Sequence, residues 1–84
     1  MSQQYKGTAL ITGASTGIGS IYAEHLARRG YDLVLVARNR ERLNALASRL
    51  TSETRQNIEV LQADLGRPED LAKVERKLRE DASI

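Results

Sequence analysis

The sequence predicts an α/β fold: the N-terminal half of a doubly wound parallel sheet, with element order β-α-β-α-β-α and strand order 3-2-1. Three observations carry that prediction. Short apolar runs alternate with stretches of helical periodicity, the order expected of parallel strands joined by right-handed crossovers. The second run, Leu33-Val34-Leu35-Val36-Ala37, is apolar without alternation, as befits a strand buried on both faces. Three of the six glycines, Gly13, Gly17 and Gly19, stand where the first strand gives way to the first helix.

Thr8 to Thr12 is short, apolar, partly β-branched and followed by Gly13, so it reads as a buried strand. From about Gly17 to Arg29 the pattern is helical. Ile18, Tyr22 and Leu26 share an apolar face at i, i+4 and i+8, with Ala23 and Ala27 beside them. Arg28 and Arg29 suit the negative end of that helix dipole, and Gly30 suits the left-handed position after its end. After the second strand, Asn39 can cap a helix whose apolar face is Leu43, Leu46, Ala47 and Leu50, with fraying expected near Thr51 to Thr54. Ile58 to Ala63 reads as a half-buried third strand, because Glu59 and Gln62 interrupt it. Pro68 fits the first position of a third helix, with Glu69 and Asp70 in its first turn. Leu71, Val74 and Leu78 form its apolar stripe, and Glu69–Lys73 and Glu75–Arg79 are correctly oriented i, i+4 pairs.

Composition bounds what such a chain can do. At 84 residues it holds one small domain at most. It has no cysteine and one histidine, so a disulfide framework and a transition-metal site are not expected. His25 sits on the flank of the first helix's apolar face with no partner in pattern, and a structural role is expected for it. The start, Met1-Ser2-Gln3-Gln4, is polar with no long apolar run behind it; the expectation is no signal peptide, no membrane span and a cytoplasmic location. A net charge of +2 is too small to argue for nucleic acid. The local clustering of Arg28, Arg29, Arg38, Arg40 and Arg42, against only Asp32 and Glu41, suits a small anionic ligand better.

The glycine turn has a chemistry that fits such a ligand. Glycine allows positive φ and lets a ligand approach the backbone closely. The helix start adds unpaired N–H groups and the positive end of the dipole, which together make a pyrophosphate site. Ser15 and Thr16 add hydroxyls that could bind ribose or phosphate, and tight packing of helix on strand favours glycine at Gly19. No Gly-Lys-Ser/Thr follows, so this is not a P-loop, and the spacing is not the usual G-x-G-x-x-G.

Thr12-Gly13-Ala14-Ser15-Thr16-Gly17-Ile18-Gly19 resembles the TGxxxGIG signature of the short-chain dehydrogenase/reductase family. "LVLVARNRERL" (Leu33 to Leu43) and "LQADL" (Leu61 to Leu65) match that family's next two landmarks at the right spacing, so the resemblance covers nearly the whole chain. It implies a partial Rossmann-type dinucleotide-binding domain over residues 1–84, truncated before strand four. The implied cofactor-binding residues are Gly13, Ser15, Thr16, Gly17, Ile18, Gly19, Arg38, Asn39, Asp64 and Leu65. At the end of strand two an acid would accept from the 2′-OH of NAD, whereas an arginine pairs with the 2′-phosphate of NADP. Ala37-Arg38-Asn39-Arg40 holds no carboxylate, so NADP is expected rather than NAD. The resemblance also implies that Asp64 contacts the adenine amino group, with the Leu65 backbone beside it.

In this family a tyrosine, with a lysine four residues on, handles the substrate proton. Four residues after Tyr5, Tyr22 and Tyr31 stand Ala9, Leu26 and Leu35, so no catalytic residue is expected within the chain. Two readings follow. One is the N-terminal portion of an NADP(H)-dependent dehydrogenase or reductase acting on a small carbonyl or alcohol substrate, inactive as an isolated chain. The other is a non-catalytic nucleotide-binding or interaction module. Without a fourth strand the edge of strand one is bare, a template for self-association, so a dimer or higher oligomer is expected.

Overall fold

The structure, a computed structural model, describes residues 7–14, 17–82 and 84. Its elements follow the predicted order: β1 (Thr8–Thr12), α1 (Gly17–Arg28), β2 (Asp32–Ala37), α2 (Arg40–Thr54), β3 (Ile58–Gln62) and α3 (Pro68–Glu80). The three strands are parallel with β2 in the middle, which is the predicted 3-2-1 order. Leu35 lies opposite Ile11 on one side and Val60 on the other, so apolar rows run across the whole sheet.

Strand alternation divides the core into two layers. Leu33, Leu35 and Ala37 face α1 and α2, where they meet Ala23, Ala27, Leu43, Leu46 and Leu50. Val34 and Val36 face the other way and meet Ala63 and Val74 of α3. This is why β2 needs an uninterrupted apolar run: each successive side chain enters a different core, and Leu33 to Val36 are each at most 1% exposed.

The helix ends carry the predicted signals. Gly30, at φ 99°, closes α1 in a Schellman motif. The Gly30 amide donates to the Ala27 carbonyl and the Tyr31 amide to that of Leu26, each at 3.1 Å. Asn39 caps α2, its Oδ1 accepting from the Arg42 amide at 3.0 Å. Pro68 opens α3. The expected fraying of α2 does not occur: the helix runs to Thr54, Arg55 (φ 62°) turns left-handed, and its amide donates to the Thr51 carbonyl at 2.9 Å.

Two helix faces differ from expectation. In α1 the alanines are the buried residues, while Ile18 is 80% and Tyr22 62% exposed; Leu26 is partly buried. The helix lies too close to the sheet for large side chains, so the small face turns inward. In α3 only Val74 is buried, and Leu71 and Leu78 flank the contact line at 43% and 48% exposure. A single helix meets the sheet along one line, here Val74 against Val34, Val36 and Ala63.

Neither predicted i, i+4 ion pair of α3 closes. Lys73 turns to Asp70 at 3.5 Å, and Lys77 reaches Glu59 of β3 at 2.8 Å and Asp81 at 3.4 Å. Among the described residues no helix is long and apolar enough to cross a membrane. No group of three or more metal-ligating side chains forms among them either.

Candidate functional site

The carboxyl ends of the three strands open into a cleft of about 530 Å³. Val36 and Ala37 lie at its base, with Gly13 beside them. One wall is Arg38, Asn39 and Arg42, and the other is Ala63 to Gly66. The loops are braced across the strand ends: the Ala14 amide donates to the Val36 carbonyl at 3.3 Å and the Ala63 amide to that of Ala37 at 3.0 Å. The Gln62 side-chain amide donates to the Arg38 carbonyl at 3.1 Å.

The three glycines do different work. Gly13 and Gly17 have positive φ, 65° and 51°, and a Cβ on either would meet nothing within 4 Å. Backbone conformation calls for glycine there, and the space over both is open to a ligand. Gly19 is required by packing: a Cβ would overlap the Gly13 carbonyl oxygen and lie 2.9 Å from its carbonyl carbon. The first turn of α1 holds no acidic residue, so its free N–H groups and positive dipole end are not neutralised locally. Ile18, in that turn, is exposed. Ser15 and Thr16, expected to supply hydroxyls here, lie outside the described residues.

The basic cluster of the sequence splits into two parts. Arg28 joins Glu24 and Glu53 on the outer surface of α1 and α2, away from the cleft. Arg38 and Arg42 line the cleft, and among the described residues neither has a carboxylate partner. Arg42, in the first turn of α2, lines the cleft beside Arg38, which precedes the Asn39 cap. Asn39 contributes mainly as the cap of α2, with its oxygen engaged by the Arg42 amide.

Asp64 shapes the opposite wall. Its Oδ1 accepts from the Gly66 amide at 2.9 Å, and its carbonyl accepts from the Arg67 amide at 2.9 Å. Its own amide donates to Asp70 Oδ2 at 2.8 Å. That amide is the main reason the Asp70 carboxyl is held below its ordinary value; the Lys73 and Arg67 charges add to it and burial opposes them. Leu65 lines the cleft at 41% exposure. His25 lies elsewhere, in a shallow groove on α1 with Ile18, Ile21 and Tyr22. The cleft thus has Gly13 at one end and the guanidinium groups of Arg38 and Arg42 along one wall, neither with a carboxylate partner among the described residues.

Known proteins resemble the chain in sequence and in fold. The family model described as short chain dehydrogenase matches residues 7–83. A very-long-chain 3-oxoacyl-CoA reductase-B from Danio rerio is 39% identical over 70 residues, 83% of this chain and 22% of that protein. The bulky-bulky ketone specific alcohol dehydrogenase from Comamonas testosteroni superposes with a TM-score of 0.92 at 62% identity, over 93% of this chain and 31% of that one. A short-chain dehydrogenase from Sphingobium yanoikuyae, solved in complex with NADPH, gives 0.91 at 65% identity over the same shares. The chain therefore spans about a third or less of the length of the proteins it matches.

Proposed function

The chain belongs to the short-chain dehydrogenase family, and from that premise we propose that it is the N-terminal, cofactor-holding portion of an NADP(H)-dependent oxidoreductase. The whole enzyme moves a hydride between the nicotinamide and an alcohol or carbonyl carbon of a small substrate. The observation that carries the cofactor preference is the wall formed by Arg38 and Arg42, which line the cleft and have no carboxylate partner among the described residues. An arginine fork pairs with the 2′-phosphate that distinguishes NADP from NAD. The likeness to a protein solved with NADPH supports the same reading.

Within this reading the chain's residues bind and orient. The glycine turn, with the hydroxyls of Ser15 and Thr16 and the amides at the start of α1, receives the pyrophosphate, and Ile18 offers its backbone in the first helical turn. Arg38 holds the 2′-phosphate, with Arg42 and the N-terminus of α2 beside it. Asp64 and the Leu65 backbone meet the adenine. The bound dinucleotide supplies the hydride chemistry. No proton-handling pair is present: Tyr22 and Tyr31 are followed four residues on by Leu26 and Leu35, and Tyr22 lies on the outer face of α1. We therefore expect the 84-residue chain to show no turnover by itself.

Self-association belongs to the same proposal. Among the described residues β1 pairs with β2 along one edge and with no strand along the other. Its residues Thr8 to Ile11 are only partly buried.

The test is a titration of the chain with NADP and NAD, repeated on Arg38→Asp. Preference for NADP, abolished by the substitution, supports the reading. Equal affinities in all four combinations overturn it.

A further inference from the structure

We propose that Asp70 is a positioning residue for the cleft: reaching back from the first turn of α3, its carboxylate holds the Asp64 amide and so fixes the Ala63–Gly66 wall opposite Arg38 and Arg42. The role rests on the reading of the cleft as a nucleotide site and deepens it.

The hydrogen-bond ledger of this turn leads to that assignment. β3 stops bonding to β2 at Ala63, whose amide donates to the Ala37 carbonyl at 3.0 Å. The next amide, that of Asp64, has left the ladder and needs another acceptor. It finds Asp70 Oδ2, six residues on, at 2.8 Å. An acid at the third position of a helix commonly reaches back to the cap residue's own amide. Here the cap residue is Arg67, which makes no side-chain cap bond, and the acid passes over it to the wall of the cleft. Two bonds between nearer neighbours in the chain complete the loop: Gly66 amide to Asp64 Oδ1, and Arg67 amide to the Asp64 carbonyl, both 2.9 Å. These local bonds shape the turn internally. The Asp70 bond ties it to the first turn of a long helix, which is itself anchored on the sheet through Val74.

The surroundings keep the acceptor charged. Asp70 faces Lys73 at 3.5 Å on its own helix, and Arg38, Asp64 and Arg67 line the same small cleft behind the wall. The Asp64 amide, first among these influences, lowers the Asp70 carboxyl's pKa. The acceptor therefore stays ionised at neutral pH, and a charge-assisted bond is stronger than a neutral one.

The experiment compares Asp70→Ala with Asp70→Asn in the 84-residue chain, using adenosine 2′,5′-bisphosphate as the probe. Asparagine keeps an acceptor oxygen and alanine does not. Affinity should fall about tenfold in Asp70→Ala and stay within about threefold of the parent in Asp70→Asn. In the parent, the Asp64 amide proton resonance should move as Asp70 titrates below the ordinary carboxylate range. A role confined to stabilising α3 predicts otherwise: both variants melt earlier, since both lose the charge at the helix start, and affinity is unchanged. That result overturns the proposal, as does an Asp64 amide shift that titrates identically in Asp70→Ala. Failure of the parent chain to bind the probe overturns the nucleotide reading and this role with it; parent binding that Asp70→Ala leaves intact overturns this role alone.

Discussion

Gly19 stands against Gly13 so closely that any side chain at 19 would run into the Gly13 carbonyl. This contact sets the distance between α1 and β1, and it brings the first turn of the helix to the mouth of the cleft. Gly19→Ala should destabilise the fold by about 1–3 kcal/mol, because backbone must move to admit the methyl group. Gly13→Ala meets open space and carries only the positive-φ penalty, about 1 kcal/mol. Urea denaturation of the two variants checks the ranking; equal costs would remove the packing argument.

Arg38→Asp should weaken NADP binding by about tenfold or more and leave NAD binding nearly unchanged or improved. Arg42→Ala should cost NADP a smaller, several-fold loss, since it stands further along the same wall, in the first turn of α2. Parallel titrations with the two dinucleotides give both values.

Val74 is the single buried residue of α3, at 5% exposure. Val74→Ala should cost about 2 kcal/mol, whereas Leu71→Ala and Leu78→Ala should each cost well under half of that. If all three alanine variants unfold at the same urea concentration, α3 does not dock as described.

Stability should fall in acid. Glu24 bonds to Arg49 at 3.1 Å and to Arg28 at 3.3 Å, and these bonds, Arg49 first, lower its pKa. A carboxyl lowered in the folded state contributes stability in full above its unfolded pKa and loses it as pH falls through the folded one. Lys77, raised chiefly by Glu59, has the opposite sign: its contribution is present below its unfolded pKa and lost as pH rises through the folded one. Melting midpoints should thus decline below the ordinary carboxylate range and again at strongly alkaline pH. Glu24→Gln should flatten part of the acid limb, and salt should shrink the difference, because the pairs are exposed.

Among the described residues β1 is an end strand of the sheet, and that edge should drive association. Light scattering at working concentration should report a dimer or larger species. A monodisperse monomer would count against pairing through that strand.

The order of the elements, their capping residues and the two-faced burial of β2 were legible in the sequence, because each depends on neighbours within one turn or one strand. Gly30, Asn39 and Pro68 act through bonds no more than a few residues long. The glycine spacing likewise marked the junction of β1 and α1, where Gly13 and Gly17 have positive φ. Which face of α1 turns inward was decided only by the tertiary structure. Ile18–Tyr22–Leu26 and Ala23–Ala27 are adjacent stripes with the same period, and the choice falls to the close approach that Gly19 permits. The partition of the arginines was also tertiary, since Arg28 finds Glu53 across 25 residues while Arg38 and Arg42 are left facing the cleft. So was the Asp70–Asp64 bond: periodicity describes one element at a time, and that bond joins the loop after β3 to the first turn of α3.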